Sequence, residues 1–201
     1  MAHPQFTFLL ARQRSGTNAL LSVLGTNPDI FCFDEVFRLD DLIRPDPVQI
    51  RGNYFKFLEE YAAGDVTRIF PDRHAQVFAD YLGHLAALAP KRLIVVDVKY
   101  NSTHHLAGVW RPIAYPTFFD YIKSHQAAVL HLVRRNYLRG LLSHLNAWES
   151  KRYYVFDGPA PPDVRVTVPL PWAVQEMERW QTEDGSVARA FEDYPFYKQV
   201  E

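Results

Sequence analysis

Arg12-Gln13-Arg14-Ser15-Gly16-Thr17-Asn18 gathers groups that bind an anion. An apolar run, Phe6–Ala11, precedes it, and Leu20, Leu21 and Leu24 follow at helical spacing. The pattern predicts a buried strand, a tight turn and a helix starting near Thr17. A helix N-terminus offers unpaired N–H groups and the positive end of a dipole. Gly16 permits close backbone approach, Ser15 and Thr17 add hydroxyls, and Arg14 adds a planar fork of donors. The same residues also suit a plain helix cap beside a solvated arginine. A second candidate lies further on. Arg135 ends the apolar run Ala127–Val133, and Ser143 follows on a helix, turned away from its leucines. Arg139 and Asn146 share that polar face. An arginine and a serine facing one way can hold a phosphate, or can form an ordinary solvated surface.

The choice of anion is narrowed by what the turn lacks. Nucleotide hydrolases need G-x-x-x-x-G-K-[ST], with lysine on the phosphates and the hydroxyl on magnesium. Here one glycine stands alone, with no Gly-Lys pair. Leu93-Ile94-Val95-Val96-Asp97 does imitate the strand that ends in a magnesium-binding aspartate. An arginine at the turn suits an ester transfer that uses no metal.

These residues need elements to hold them. Phe6–Ala11, Leu93–Val98 and Ala127–Val133 are almost continuously apolar, as in strands buried on both faces of a parallel sheet. Asp29–Phe33 and Phe196–Glu201 are shorter strand-like pieces. Helices are expected from Thr17 to Gly25, from an Asp72 cap to Leu88, over Thr117–Ser124 behind Pro116, from Asn136 to Trp148, and from Pro171 to Ala190. Leu138, Leu141, Leu142, Leu145 and Trp148 form the apolar stripe of the fourth. Asp34–Pro47 and Ser150–Pro171 read as irregular loops, of the kind that shape ligand sites at strand ends. Strand and helix in alternation predict an α/β fold. It is a three-layer sandwich with a central, mainly parallel sheet, like that of the P-loop nucleotide hydrolases.

With 201 residues, the chain has the length of a single domain over 1–201. Lys and Arg total 22 against 23 Asp and Glu, a net charge of −1 that argues against nucleic acid as a partner. The lone cysteine, Cys32, excludes an internal disulfide and a multi-cysteine zinc site. No apolar run approaches a membrane span. A strand-like segment beginning at Phe6 leaves no room for a signal peptide, so a cytoplasmic location is expected. The final strand-like piece meets the end of the chain, which suggests a C-terminal truncation.

Arg14-Ser15-Gly16-Thr17 after a first strand, with Arg135 and Ser143 after a later one, resembles the sulfotransferases that use 3′-phosphoadenosine 5′-phosphosulfate (PAPS). Val133-Arg134-Arg135-Asn136-x-Leu138-Arg139, with Ser143-His144-x-x-Ala147 after it, is most similar to bacterial carbohydrate-type members, including the trehalose sulfotransferase group. The resemblance covers residues 5–37 and 92–149. It implies metal-independent, in-line transfer of a sulfuryl group from PAPS to a hydroxyl of a saccharide or small metabolite. It also implies roles. Arg14, Ser15, Gly16, Thr17 and Asn18 hold the 5′-phosphosulfate, and Arg135 and Ser143 hold the 3′-phosphate. Arg14 stabilises charge on the bridging oxygen, and Glu35 matches a glutamate proposed as base. Lys99 matches a lysine of the central strand placed to contact the sulfuryl group. Many members carry a later Gly-rich basic loop, which this sequence lacks. A homo-oligomer is compatible with the family.

Other readings stay open. Asp34 and Glu35 also suit a solvated loop pair, whereas a carboxylate between Phe33 and Phe37 suits a base. His104 and His105 are alternatives. Trp110, Tyr115, Trp148, Tyr153 and Tyr154 can stack on a sugar or fill the core. Cys32 and Arg38 have cysteine-phosphatase spacing, but Phe-Asp-Glu-Val-Phe between them offers no glycine and two repelling carboxylates. A P-loop small-molecule kinase and a non-catalytic nucleotide-binding fragment are the rival functions.

Overall fold

The structure, a computed structural model, describes residues 5–38, 46–100, 118–150 and 165–201. Five strands make one sheet: β1 (Gln5–Ala11), β2 (Ile30–Phe33), β3 (Leu93–Lys99), β4 (Ala128–Leu132) and β5 (Tyr197–Val200). Their order is β2-β3-β1-β4-β5, and every pairing is parallel. The runs with the most continuous apolar character are the three central strands. Each needs partners on both faces, and burying one Phe or Leu side chain is worth about 1.5–3 kcal/mol.

Alternation along β1 sends those side chains to two cores. Leu9 and Ala11, with Val95 and Leu132, meet Leu21 of α1 (Thr17–Leu24). Phe8 and Leu10, with Ile94, Val96, Val98 and Val129, face the opposite way. There they meet α3 (Tyr54–Tyr61), α4 (His74–Leu88) and α5 (Phe118–Ser124) through residues such as Phe57, Phe78, Tyr81, Phe118 and Ile122. Helices therefore flank the sheet on both sides. Among the described residues, the remaining α-helices are α2 (Pro47–Arg51), α6 (Tyr137–Ser150) and α7 (Leu170–Ala190).

The topology prepares a site. α1 leads from β1 toward one edge of the sheet, while α6 leads from β4 toward the other. Ala11 is in register with Lys99 on one side and Leu132 on the other. The carboxyl ends of three adjacent strands thus lie side by side at a point where connections diverge. That is the place where open α/β sheets bind ligands.

Two expectations are corrected. Asp72 does not cap α4: it lies inside a single 3-10 turn, Pro71–Arg73, and Arg73 takes the N-cap position without a side-chain bond. The leucine stripe of α6 is only partly buried. Leu141 is 1% exposed, but Leu138, Leu142 and Trp148 are 50%, 41% and 55% exposed. The contact is made instead at Gly140, where an added Cβ would stand 3.2 Å from the Trp180 ring of α7. A residue without a side chain carries no hydrophobic signal, so the pattern misplaced the buried face. Beyond the Asp34–Pro47 loop, whose described residues 34–38 are irregular as expected, come two helices the residue pattern did not announce, α2 and α3, capped by Asp46 and Asn53. Gly52 joins the two, and a Cβ there would meet the Phe33 ring at 2.5 Å. Pro116, Thr117 and residues 151–164 lie outside the described residues.

Candidate functional site

The turn after β1 is bent by two left-handed residues, Arg14 (φ 68°) and Gly16 (φ 96°). Such backbone turns successive N–H groups toward one point, an arrangement that suits an anion. Gly16 is also the N-cap of α1 and has no side chain to accept from the first-turn N–H groups. A non-glycine residue at positive φ is uncommon and costs energy. Among the described residues, three non-glycines do this, and two of them are Arg14 and Glu35.

The two sequence-distant segments meet here. Arg14 Nε donates to Ser143 Oγ at 3.1 Å, across 129 residues of chain. Arg134 donates from its guanidinium to the Arg14 carbonyl oxygen at 2.8 Å. A small cavity of about 10 Å³, room for one water, lies beside them between the turn and the α6–α7 pair, lined by Arg12, Arg14, Arg134, Tyr137, Trp180 and Asp184 among others. His144 lies close enough that burial, and then the Arg14 charge, lower its pKa. One turn along α6, Asn146 Oδ1 is buried without a hydrogen-bond partner among the described residues. Arg135, expected beside Arg14 and Ser143, is instead largely exposed, with its Nε 3.3 Å from Glu201. Asn18 is half-buried at the start of α1.

Below the turn is a second cluster. Thr17 is buried, and its hydroxyl accepts from Lys99 Nζ at 2.8 Å. The same ammonium donates to Asp97 and lies 3.7 Å from Glu35. Glu35 in turn is 3.6 Å from Arg38. Burial drives the Asp97 carboxyl up to about 7, against the pull of Lys99, and Glu35 and Asp34 add to the rise. Lys99 therefore ties the anion turn to the candidate base through one buried charge. Burial, with Asp34 and Asp97, also pushes the Cys32 thiol up to about 11. A thiol of that kind stays protonated at neutral pH and is a poor nucleophile.

A third group was not foreseen. Arg12 turns toward α7, bonding Glu183 at 2.5 Å, Asp184 at 2.8 Å and the Trp180 carbonyl at 2.7 Å. Its guanidinium lies 4.8 Å from the Trp180 ring and 5.4 Å from Tyr100. Tyr137 donates to the other Asp184 oxygen at 3.0 Å. The signal was available in part. Arg12 directly follows a buried strand, and Asp184 interrupts the buried side of a helix. His104, His105, Trp110, Tyr115, Tyr153 and Tyr154 lie outside the described residues.

His131 of β4 is fully buried, with Nε2 bonded to the Tyr100 hydroxyl and Nδ1 2.8 Å from the Tyr197 hydroxyl. Burial, helped by Arg12, lowers its pKa to about 4, from an ordinary 6.5. The unfolded chain binds a proton near pH 6.5 that the folded chain refuses until about 4. Stability therefore falls as pH drops through that window, by up to about 3 kcal/mol from this group. The expected result is a wild-type urea midpoint that drops between pH 7 and pH 5. In His131→Gln, which keeps a donor and an acceptor, the drop should be visibly smaller. Parallel slopes would show that His131 does not control the transition.

Against known proteins, the chain matches no protein-family model and no curated protein.

Proposed function

We propose that the chain is a sulfotransferase that moves a sulfuryl group from PAPS to a hydroxyl of a saccharide or small metabolite. The observation that carries this reading is the Arg14–Ser143 hydrogen bond. It brings together the two segments whose resemblance to the family was separate in sequence. The nucleotide lies across the strand ends, its 5′-phosphosulfate on the turn Arg14–Asn18 and its 3′-phosphate toward Ser143. Arg134, which holds the Arg14 carbonyl, supplies the arginine on this side of the turn. Arg135 serves the outer rim.

In the reaction, the acceptor oxygen attacks sulfur in line as the bond to the bridging oxygen breaks. The bridging oxygen leaves with the 5′-phosphate, giving adenosine 3′,5′-bisphosphate. The acceptor proton passes to Glu35. Positioning and charge stabilisation do most of the work, as in phosphoryl transfer. Arg14 and the α1 N–H groups neutralise charge on the leaving side. A base acting in the transition state contributes about 10²-fold or more. The P-loop-like character of the sheet belongs to this reading.

The test is transfer of labelled sulfate from PAPS across a panel of sugars and small alcohols. Wild type is expected to label at least one acceptor. Glu35→Gln should lower turnover by about 10²-fold while leaving adenosine 3′,5′-bisphosphate binding unchanged. Full activity in both Glu35→Gln and Glu35→Ala eliminates Glu35 as the base. No transfer to any acceptor, with the nucleotide still bound, favours a non-catalytic nucleotide-binding chain.

A further inference from the structure

We infer that Lys99 is a built-in cation occupying a divalent-metal pocket, and that removing its ammonium uncovers that pocket. Asp34, Glu35 and Asp97 each bring a carboxylate oxygen within 4.8 Å of the others. Acidic groups alone would mean little, since such clusters are common. Two further observations give this one a cation-binding character. A positive group is already seated in it: Lys99 Nζ, 3% exposed, contacts Asp97, Glu35 and the Thr17 hydroxyl. And Asp97 Oδ1, on a side chain with no exposure, has no hydrogen-bond partner among the described residues.

The geometry matches what a hard cation requires, namely several oxygens converging from different elements. Thr17 comes from the start of α1, Asp97 from β3, and Asp34 and Glu35 from the loop after β2. In phosphate-transfer sites, a hydroxyl at the first turn of this helix and an aspartate at a neighbouring strand end share one magnesium ion. Here the ammonium stands between those two oxygens. A charge of one, fixed covalently, thus holds the Thr17 hydroxyl and the Asp97 and Glu35 carboxylates in place. The inference is independent of the sulfuryl donor and concerns only what fills this pocket.

Lys99→Met keeps most of the stem and removes the charge, and Lys99→Gln keeps a donor as well. The probe is Mn²⁺, titrated by calorimetry and by its effect on the unfolding temperature. Wild type is expected to show no saturable stabilisation by millimolar Mn²⁺. Either variant is expected to gain it, with at least about tenfold tighter binding than wild type, because the competing ammonium is gone. Adding Asp97→Asn to the variant should abolish the gain. Folded variants with no gain overturn the inference, as does tight Mn²⁺ binding by wild type that Asp97→Asn removes. If neither variant folds without metal, refolding yield with and without Mn²⁺ decides. A yield raised by Mn²⁺ supports the pocket, and an unchanged yield overturns it.

Discussion

Arg14→Ala is expected to lower kcat/KM for sulfuryl transfer by about 10²–10³-fold. Alanine is the informative substitution because residue 14 sits at φ 68°. The wild-type arginine already bears the cost of that backbone and alanine bears the same one, so the change reports the side chain. Arg14→Gly would also relieve the backbone cost and confuse the two effects. A fixed donor aimed at developing charge contributes more to the transition state than to ground-state binding. The loss should therefore appear mainly in kcat, with a smaller change in the affinity for adenosine 3′,5′-bisphosphate. Steady-state kinetics on labelled PAPS measures the split. A loss confined to KM would show that Arg14 merely binds the donor.

Arg12→Leu is expected to destabilise the fold by about 3–5 kcal/mol, the range for removing one partner of a buried ion pair. Arg12 and Asp184 are only 12% and 9% exposed, and their contact is 2.8 Å. Without the guanidinium, Asp184 is left with neutral tyrosine hydroxyls, Tyr137 and Tyr100, in a place where burial already raises its pKa. Arg12 also fastens α7 to the residue that opens the anion turn, so the same change should loosen that turn. Urea unfolding gives the magnitude. Adding Asp184→Asn should recover part of it, because the second change removes the unpaired charge. If the double variant is as unstable as the sum of the two singles, the pair is not the source.

Much of this arrangement was legible in the residues. β1, β3 and β4 announced themselves as uninterrupted apolar runs, since strands with two buried faces have no polar side to show. The ends of α1 and α7 followed from Gly25, Pro28 and Pro171 for similarly local reasons. The misreadings have physical sources too. Gly140 makes the helix contact that leucines were expected to make, because close approach depends on the lack of a side chain. Asp72 is a good capping residue by type, yet the chain spends it in a 3-10 turn. Arg134 and Arg135 differ by one position beyond the end of β4. Apolar pattern cannot say which of two adjacent arginines turns inward, and Arg134 is the one that reaches Arg14. The partners of Arg12 lie more than 160 residues away, beyond the reach of any local rule.

The convergence of the β1 turn with α6 on a single nucleotide is tested most directly by calorimetric titration in the presence of a metal chelator. Adenosine 3′,5′-bisphosphate should bind at least about tenfold more tightly than ADP, the difference expected for one charge-assisted contact to the 3′-phosphate. Ser143→Ala and Arg134→Ala should each reduce that preference. Tighter binding of ADP, or a requirement for Mg²⁺, would contradict the account, and so would a preference that survives both substitutions.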